Sequence, residues 1–388
     1  MPVHSIVTLI RLSDRTKPLA LSHSKKQTHL NLAASRQLPE MASSGTSELT
    51  DKRMMTVAIS RIDVTTGSRL HFGLICSKPA AHWRFGGIGV MLRQPAWRLS
   101  VTPIAAEKDS IEATDDICQR LRELLQRIRS RHHLKSVRIE VHQEVSLHTG
   151  LGSGTQLGLA LSAASELLTL RHLHEDPFQL AQLACRAERS AIGTVGFARG
   201  GFLVDHGESN GESPGRQVDR FVFPDDWRFV LTHPEYSQGL SGEKERTFFG
   251  RRIHMPQTLI ENLEQQVLQE IIPAVREKQF EAFATSLENY GQSVGTFYAA
   301  EQGGVFAHPA MTQLAAHLRT VGISGMAQSS WGPLIGIPAG SQKHAEEIVR
   351  LIPERIGPMR LTTAISEPLN TGATIRTSAG EAAGREFV

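Results

Sequence analysis

Apolar and polar residues begin to alternate near residue 57. "VAISRIDV" (57–64) and "RLHFGLIC" (69–76) read as two strands separated by Thr65, Thr66 and Gly67. "RFGGIGVML" (84–92) is a glycine-dense turn running into an apolar strand, and "WRLSVTP" (97–103) continues the sheet. Between Asp115 and His132 the period changes. Ile117, Leu121, Leu124, Leu125 and Ile128 recur at steps of three and four, which predicts an amphipathic helix. "SVRIEVHQEV" (136–145) returns to alternation and predicts a strand. An alanine- and leucine-rich helix follows a glycine loop near residue 150. A second helix is expected over 176–191, with Asp176 as cap and Pro177 in its first turn. "FARGGFLVDHG" (197–207) is a glycine turn into a strand, and the polar "GESNGESPGRQ" (207–217) reads as a hairpin or linker. "WRFVLTHP" (227–234) opens a second half, with helices expected near 257–272, 277–299, 308–320 and 342–350. The order predicts an α+β protein in two halves without internal repeats.

Composition narrows the class. The 388 residues are 40% hydrophobic and 21% charged, as expected for a globular chain. A net charge of +3 and the lack of a Lys/Arg stripe argue against a nucleic-acid partner. Cys76, Cys118 and Cys185 are far apart, which fits neither a disulfide framework nor a zinc site and suits a reducing cytoplasm. No apolar run approaches the roughly 20 residues of a membrane span, so no membrane partner is expected. Residues 1–54 are polar and basic and end at Met54-Met55. They read as a disordered extension or an over-extended start. The fold proper is expected to divide into 55–222 and 223–388.

The chemistry concentrates in "HTGLGSGTQLGLALSAAS" (148–165). Strand, glycine loop and helix start form the setting in which backbone N–H groups converge on an anion. The P-loop pattern fails because no lysine follows Gly154. The dinucleotide fingerprint fails because Thr155 and Leu157 stand at its last glycine position. The nucleophile elbow fails because Gly152 directly precedes Ser153. What remains is a phosphate cradle of another kind, formed by Gly150, Gly152, Ser153, Gly154, Thr155 and Gln156.

"GLGSGTQLGLA" (150–160) resembles the second motif of the GHMP kinase superfamily. That resemblance implies a two-domain fold, with an S5-type amino-terminal domain and a ferredoxin-like carboxy-terminal domain. It also implies ATP-dependent phosphorylation of small molecules. The chain departs from the kinases in "SAIGTVGFARGG" (190–201), where Gly193 stands at the catalytic aspartate position. Taken with "SRLHFGL" (68–74), "RFGGIGV" (84–90), "RSAIGTVGFARGGFLVD" (189–205) and "SSWGP" (329–333), the set resembles the β-ribofuranosylaminobenzene 5′-phosphate synthases of tetrahydromethanopterin biosynthesis. This branch implies a pentosyl transfer. Phosphoribosyl pyrophosphate and 4-aminobenzoate or 4-hydroxybenzoate condense with loss of carbon dioxide and pyrophosphate. Mg²⁺ is the implied cofactor and a homodimer the implied assembly. A small-molecule kinase of the same fold is the alternative and needs another carboxylate near Gly193, for which Asp205 is the closest in sequence.

Several side chains are expected at such a site. Arg69 and His71 share one face of a strand, Arg69 suiting a phosphate or aryl carboxylate and His71 the para substituent. Arg84 and Gly87 form a second anion candidate. Arg189 and Ser190, with Gly193 and Thr194, occupy the place of the kinase active-site loop. Asp205 is a candidate for proton transfer or for Mg²⁺. Trp331 is a candidate wall for the arene.

Overall fold

The computed structural model describes residues 4–8, 59–77, 84–187, 190–207, 217–235 and 254–379. In chain order its elements begin with β1 (His4–Thr8), β2 (Ile59–Ser77), β3 (Arg84–Pro103), β4 (Ser110–Glu112), α1 (Asp115–Arg129) and β5 (Val137–Gln143). Next come α2 (Ser153–Leu170), α3 (Pro177–Leu183), α4 (Ile192–Arg199), β6 (Phe202–Asp205), β7 (Val218–Phe221) and β8 (Arg228–Pro234). The rest are α5 (Gln257–Gln266), a π turn (Val267–Ile271), α6 (Ile272–Arg276), α7 (Phe280–Gln302), α8 (Pro309–Thr320), β9 (Ala327–Gln328), β10 (Ile335–Ala339), α9 (Gln342–Leu351), β11 (Arg355–Ile356), β12 (Met359–Ser366) and β13 (Thr374–Ala379).

Two sheets organise the molecule. The first runs β1-β13-β2-β3-β5-β4, with β6 on β3 and β7 on β6. The second runs β11-β12-β8-β10-β9. The four short strands expected over 57–103 are two long ones. At Gly67 the pairing slips, so that Thr66 faces Trp97 and Ser68 faces Leu92. A bulge absorbs the expected break without ending the strand. A Cβ at Gly67 would strike the carbonyl oxygen of Leu92, which is why glycine stands there.

Helix α2 is apolar nearly all round, with Leu157, Leu159, Ala160, Leu161, Ala163 and Ala164 fully buried. Such a helix belongs inside the protein. It lies on β2 and β3 and is covered by α1, α3 and α4. The stripe expected on α1 faces inward, with Ile117, Leu121, Leu124, Leu125 and Ile128 buried. Asp176 caps α3 by accepting from the Phe178 N–H at 3.0 Å, as its position predicts. The helix itself is shorter than expected and stops at Leu183. Beyond it Cys185 (φ 51°) and Ala187 (φ 66°) turn the chain left-handed, a conformation non-glycine residues seldom adopt. That turn swings Arg186 towards the start of α2.

In the second sheet, Val230, Ile335 and Ile337 pack under Met311, Leu314 and Ile348 of α8 and α9. A stack of Phe202, Phe223, Trp227, Phe229 and Phe283 ties the halves together. The expected boundary at 222 falls between β7 of the first sheet and β8 of the second. The chain then crosses back, because β13 pairs antiparallel with β2. Part of the 223–388 stretch therefore completes the first sheet. The expectation of an unstructured 1–54 meets one described exception: His4–Thr8 pair with β13 and cover what would be a bare edge. The remainder of 1–54, and residues 208–216 of the polar hairpin, lie outside the described residues. Among the described residues no helix is long and apolar enough to cross a membrane.

Candidate active site

The loop between β5 and α2 opens onto a cleft of about 760 Å³. Gly150 (φ 102°) and Gly152 (φ 66°) hold left-handed backbone there. Thr155 and Gln156 donate the first helical bonds of α2, both to the Gly152 carbonyl. The amides of Ser153 and Gly154 precede those bonds and face out of the helix end. The first turn of α2 carries no acidic residue. Its partial positive charge is therefore left for something else to neutralise.

Arginines surround this helix end. A Cβ on Gly152 would lie 2.7 Å from Arg69 Cγ. A Cβ on Gly154 would lie 3.0 Å from Arg120 Nη2 and 3.4 Å from Arg186 Nη2. Arg120 projects from α1, Arg186 from the turn after α3 and Arg69 from β2, with Arg127 one further helical stretch along α1. Burial lowers the pKa of Arg120, and the charge of Arg127 acts in the same direction. Among the described residues, Glu123 is the one carboxylate lining the cleft.

The other end is more apolar, walled by Leu74, Val294, Val305, Tyr298 and Trp331, with the Gln302 and Gln328 amides beside Val305. Trp331 meets Tyr298 edge-on, ring centres 5.1 Å apart. The Tyr298 hydroxyl donates to the Leu74 carbonyl at 2.7 Å, which fixes the ring. A crosspiece from the second sheet joins the two ends. Ser329 Oγ donates to the Gly150 carbonyl at 2.7 Å and accepts from the His71 N–H at 3.0 Å. Arg69 donates to Ser330 Oγ at 2.9 Å. His71 lies between the ends and is 4% exposed. Burial, and after it the charge of Arg69, hold its imidazole well below the usual range, which favours the neutral ring. Its Nε2 has no partner among the described residues.

Comparison with known proteins bears on what such a cleft is for. Residues 117–201 match the family described as the GHMP kinases N terminal domain. Over 320 residues the chain is 28% identical to beta-ribofuranosylphenol 5′-phosphate synthase of Methanothermobacter thermautotrophicus, covering 77% of this chain and 94% of that one. The protein of the same name from Archaeoglobus fulgidus is 30% identical over 237 residues, covering 58% and 73%. The chain belongs to the β-ribofuranosylphenol 5′-phosphate synthase family. Its fold is the GHMP-kinase-like one. Mevalonate diphosphate decarboxylase from Staphylococcus aureus superposes with a TM-score of 0.58 at 16% identity, over 82% of this chain and 98% of that one. Homoserine kinase from Cytophaga hutchinsonii does so with a TM-score of 0.55 at 14% identity, over 81% and 97%.

Within this chain, the expected residues divide between the cleft and the framework behind it. Gly150, Gly152, Ser153, Gly154, Thr155, Arg69, His71, Ser190 and Trp331 line the cleft. Gln156 does not. It is fully buried, accepts from Thr66 Oγ1 at 2.7 Å and donates to the Gly193 carbonyl at 2.8 Å, so it ties α2 to β2 and α4. Thr194 is buried inside α4, and Gly193 packs against Thr155. Gly87 adjoins a separate hollow of about 110 Å³. Asp205 also borders that hollow and accepts from the N–H groups of Ala191 at 2.7 Å and Gly207 at 3.0 Å. Burial pushes its carboxyl up to about 6, against the pull of those two N–H groups and Ser190. Arg189 and the side chain of Arg84 lie outside the described residues. The described residues hold no group of three His, Cys, Asp or Glu that could bind a metal. The sequence reading missed Arg120, Arg127, Arg186 and Tyr298. Their convergence is a product of packing, and the one local sign was Arg120 and Arg127 sharing a face of α1 with Leu124.

Proposed function

We propose that the enzyme condenses phosphoribosyl pyrophosphate with 4-hydroxybenzoate, releasing carbon dioxide and pyrophosphate and forming a β-ribofuranosyl-arene 5′-phosphate. The single observation that carries this is a cleft with a basic, glycine-lined end continuous with an apolar, aromatic end, in a chain whose relatives are named for such a product. The donor needs anion contacts, and the acceptor needs an apolar seat. 4-Aminobenzoate is the competing acceptor. The relatives' printed names favour the phenol.

The proposed chemistry needs no covalent bond to the protein. The ring carbon bearing the carboxylate attacks the anomeric carbon as the bond to pyrophosphate breaks, and pyrophosphate leaves with that electron pair. Loss of carbon dioxide returns its bonding pair to the ring and restores aromaticity. The loop amides around Gly150–Thr155 stabilise the leaving anion. The cleft aligns both substrates and excludes water. Arg69 and His71 face the junction of the two ends. A kinase reading is less supported, since Gly193 stands at the aspartate position and the Asp205 carboxylate is engaged by two backbone N–H groups.

A fold neighbour is described as a complex with MVAPP, AMPPCP and magnesium. Among the described residues Glu123 is the one carboxylate lining the cleft, and it does not by itself make a protein cage for Mg²⁺. Mg²⁺ would therefore arrive with the donor, where it would offset the charge of the pyrophosphate group. A cytoplasmic homodimer completes the reading. It is supported by the family resemblance and by three free cysteines, which suit a reducing compartment.

The test is release of labelled carbon dioxide from carboxyl-labelled 4-hydroxybenzoate or 4-aminobenzoate, with phosphoribosyl pyrophosphate and Mg²⁺. Release that requires both substrates is expected, faster with the phenol. No release with either arene, alongside ATP turnover on a small alcohol, overturns the reading.

A further inference from the structure

Two guanidinium groups converge beside one glycine. Arg120 and Arg186 come from different elements, α1 and the turn after α3, yet both Nη2 atoms lie within 3.4 Å of the place a Cβ on Gly154 would take. Like charges brought together in a partly buried place repel, and the positive end of α2 adds to the repulsion. Arg120 makes no hydrogen bond or ion pair among the described residues, and its Nε is buried without a partner. Glu123, one turn further along α1, is exposed and interacts with Arg120 only through space. The left-handed residues Cys185 and Ala187 hold the turn that delivers Arg186. The arrangement suits an anion of more than one negative charge, held by both arginines at the helix end.

We propose that Arg120 and Arg186 form a clamp for the pyrophosphate group of the donor, and that the same clamp retains free pyrophosphate as a product inhibitor. The assignment rests on the donor proposed above and extends it to residues on two elements outside the glycine loop. A pyrophosphate leaving group gains charge as its bond to the sugar breaks. The two guanidiniums and the helix-end amides of Ser153 and Gly154 stabilise that added charge more than the ground state. The sugar 5-phosphate gains no charge and has no such need. Glycine at 154 suits the clamp, because a side chain there would press on both Nη2 atoms.

The experiment is calorimetric titration of inorganic pyrophosphate, and separately of ribose 5-phosphate, into the wild-type chain and the Arg120→Gln, Arg186→Gln and Arg120→Lys variants. Steady-state KM for phosphoribosyl pyrophosphate and inhibition by pyrophosphate are measured on the same proteins. Each glutamine variant is expected to weaken pyrophosphate binding about 10- to 100-fold, the scale of one charge-assisted hydrogen bond. Arg120→Lys is expected to fall between wild type and Arg120→Gln, since lysine keeps the charge but not the fork. Ribose 5-phosphate binding should stay within about twofold. The clamp is overturned if both glutamine variants bind pyrophosphate as wild type does, or if both ligands weaken equally. Because pyrophosphate binding needs no arene, a wild-type chain that binds it and releases no carbon dioxide would lose the proposed reaction while keeping the clamp. Turnover with unchanged KM and pyrophosphate inhibition in both glutamine variants would remove the clamp alone.

Discussion

At the scale of the residue, Gly152 carries several demands at once. Its φ of 66° is left-handed, and a methyl group there would press on the Arg69 side chain. Gly152→Ala is expected to destabilise the fold by about 1–2 kcal/mol through backbone conformation alone. It should also raise KM for phosphoribosyl pyrophosphate, because Arg69 must move. Denaturant unfolding and steady-state kinetics check the two effects separately. A stability loss with unchanged KM would mean that Arg69 is remote from the donor. The loop glycines and the shared face of Arg69 and His71 were legible in the sequence because both are local facts: a glycine run before a helix, and a two-residue step in a strand. Gln156 was misplaced for the same reason. It follows the loop directly, but a helix turns about 100° per residue, which carries Gln156 from the cleft side to the buried side. Arg120 and Arg186 were illegible because they meet only after α1 has packed on α2 and the chain has reversed at Cys185.

At the scale of the element, the crosspiece after β9 is the part that makes one cleft from two halves. Ser329 bonds both the Gly150 carbonyl and the His71 N–H, and Ser330 holds Arg69. Ser329→Ala removes both Ser329 bonds and leaves buried groups unmatched. A loss of about 1–3 kcal/mol is expected, measured by denaturant unfolding. The same variant should raise KM for both substrates, since the loop and the arene wall hang from one support. A change confined to the arene would show that the loop keeps its shape unaided. The motif "SSWGP" (329–333) was readable as a family mark. Its mechanical role was not, because both bonds of Ser329 span more than 170 residues of sequence. The expected break between the two halves of β2 was wrong for a related reason. Thr65-Thr66-Gly67 is turn-like taken alone, but pairing along β3 on both sides of it outweighs the local preference.

At the scale of the whole molecule, stability and pH are linked through Asp205. Its folded carboxyl titrates at about 6, above the unfolded value of 3.8, because burial disfavours the charge. Between those values the folded chain holds more protons than the unfolded one. The contribution of this group to stability is therefore complete at low pH and is lost as pH rises through about 6. Asp205→Asn cannot titrate and serves as the reference. Relative to it, the wild type should gain about 1.4 kcal/mol between pH 7.5 and 5, read from paired unfolding curves. A constant difference would mean that the two backbone N–H groups keep the carboxylate ionised throughout. The two-sheet plan was legible from the order of strands and helices. The return of the chain to the first sheet was not, because strand pairing over more than 300 residues leaves no mark on local pattern. That return has a temporal consequence. Strand β13 is laid between β1 and β2, so this edge of the amino-terminal sheet waits for residues 374–379 before it can close. On a ribosome adding about 5–20 residues per second, nearly the whole chain is exposed before its oldest strands gain their last neighbour. A nascent chain stalled just short of that strand would carry the glycine loop, α2 and every arginine of the cleft, with the sheet beneath them still unfinished.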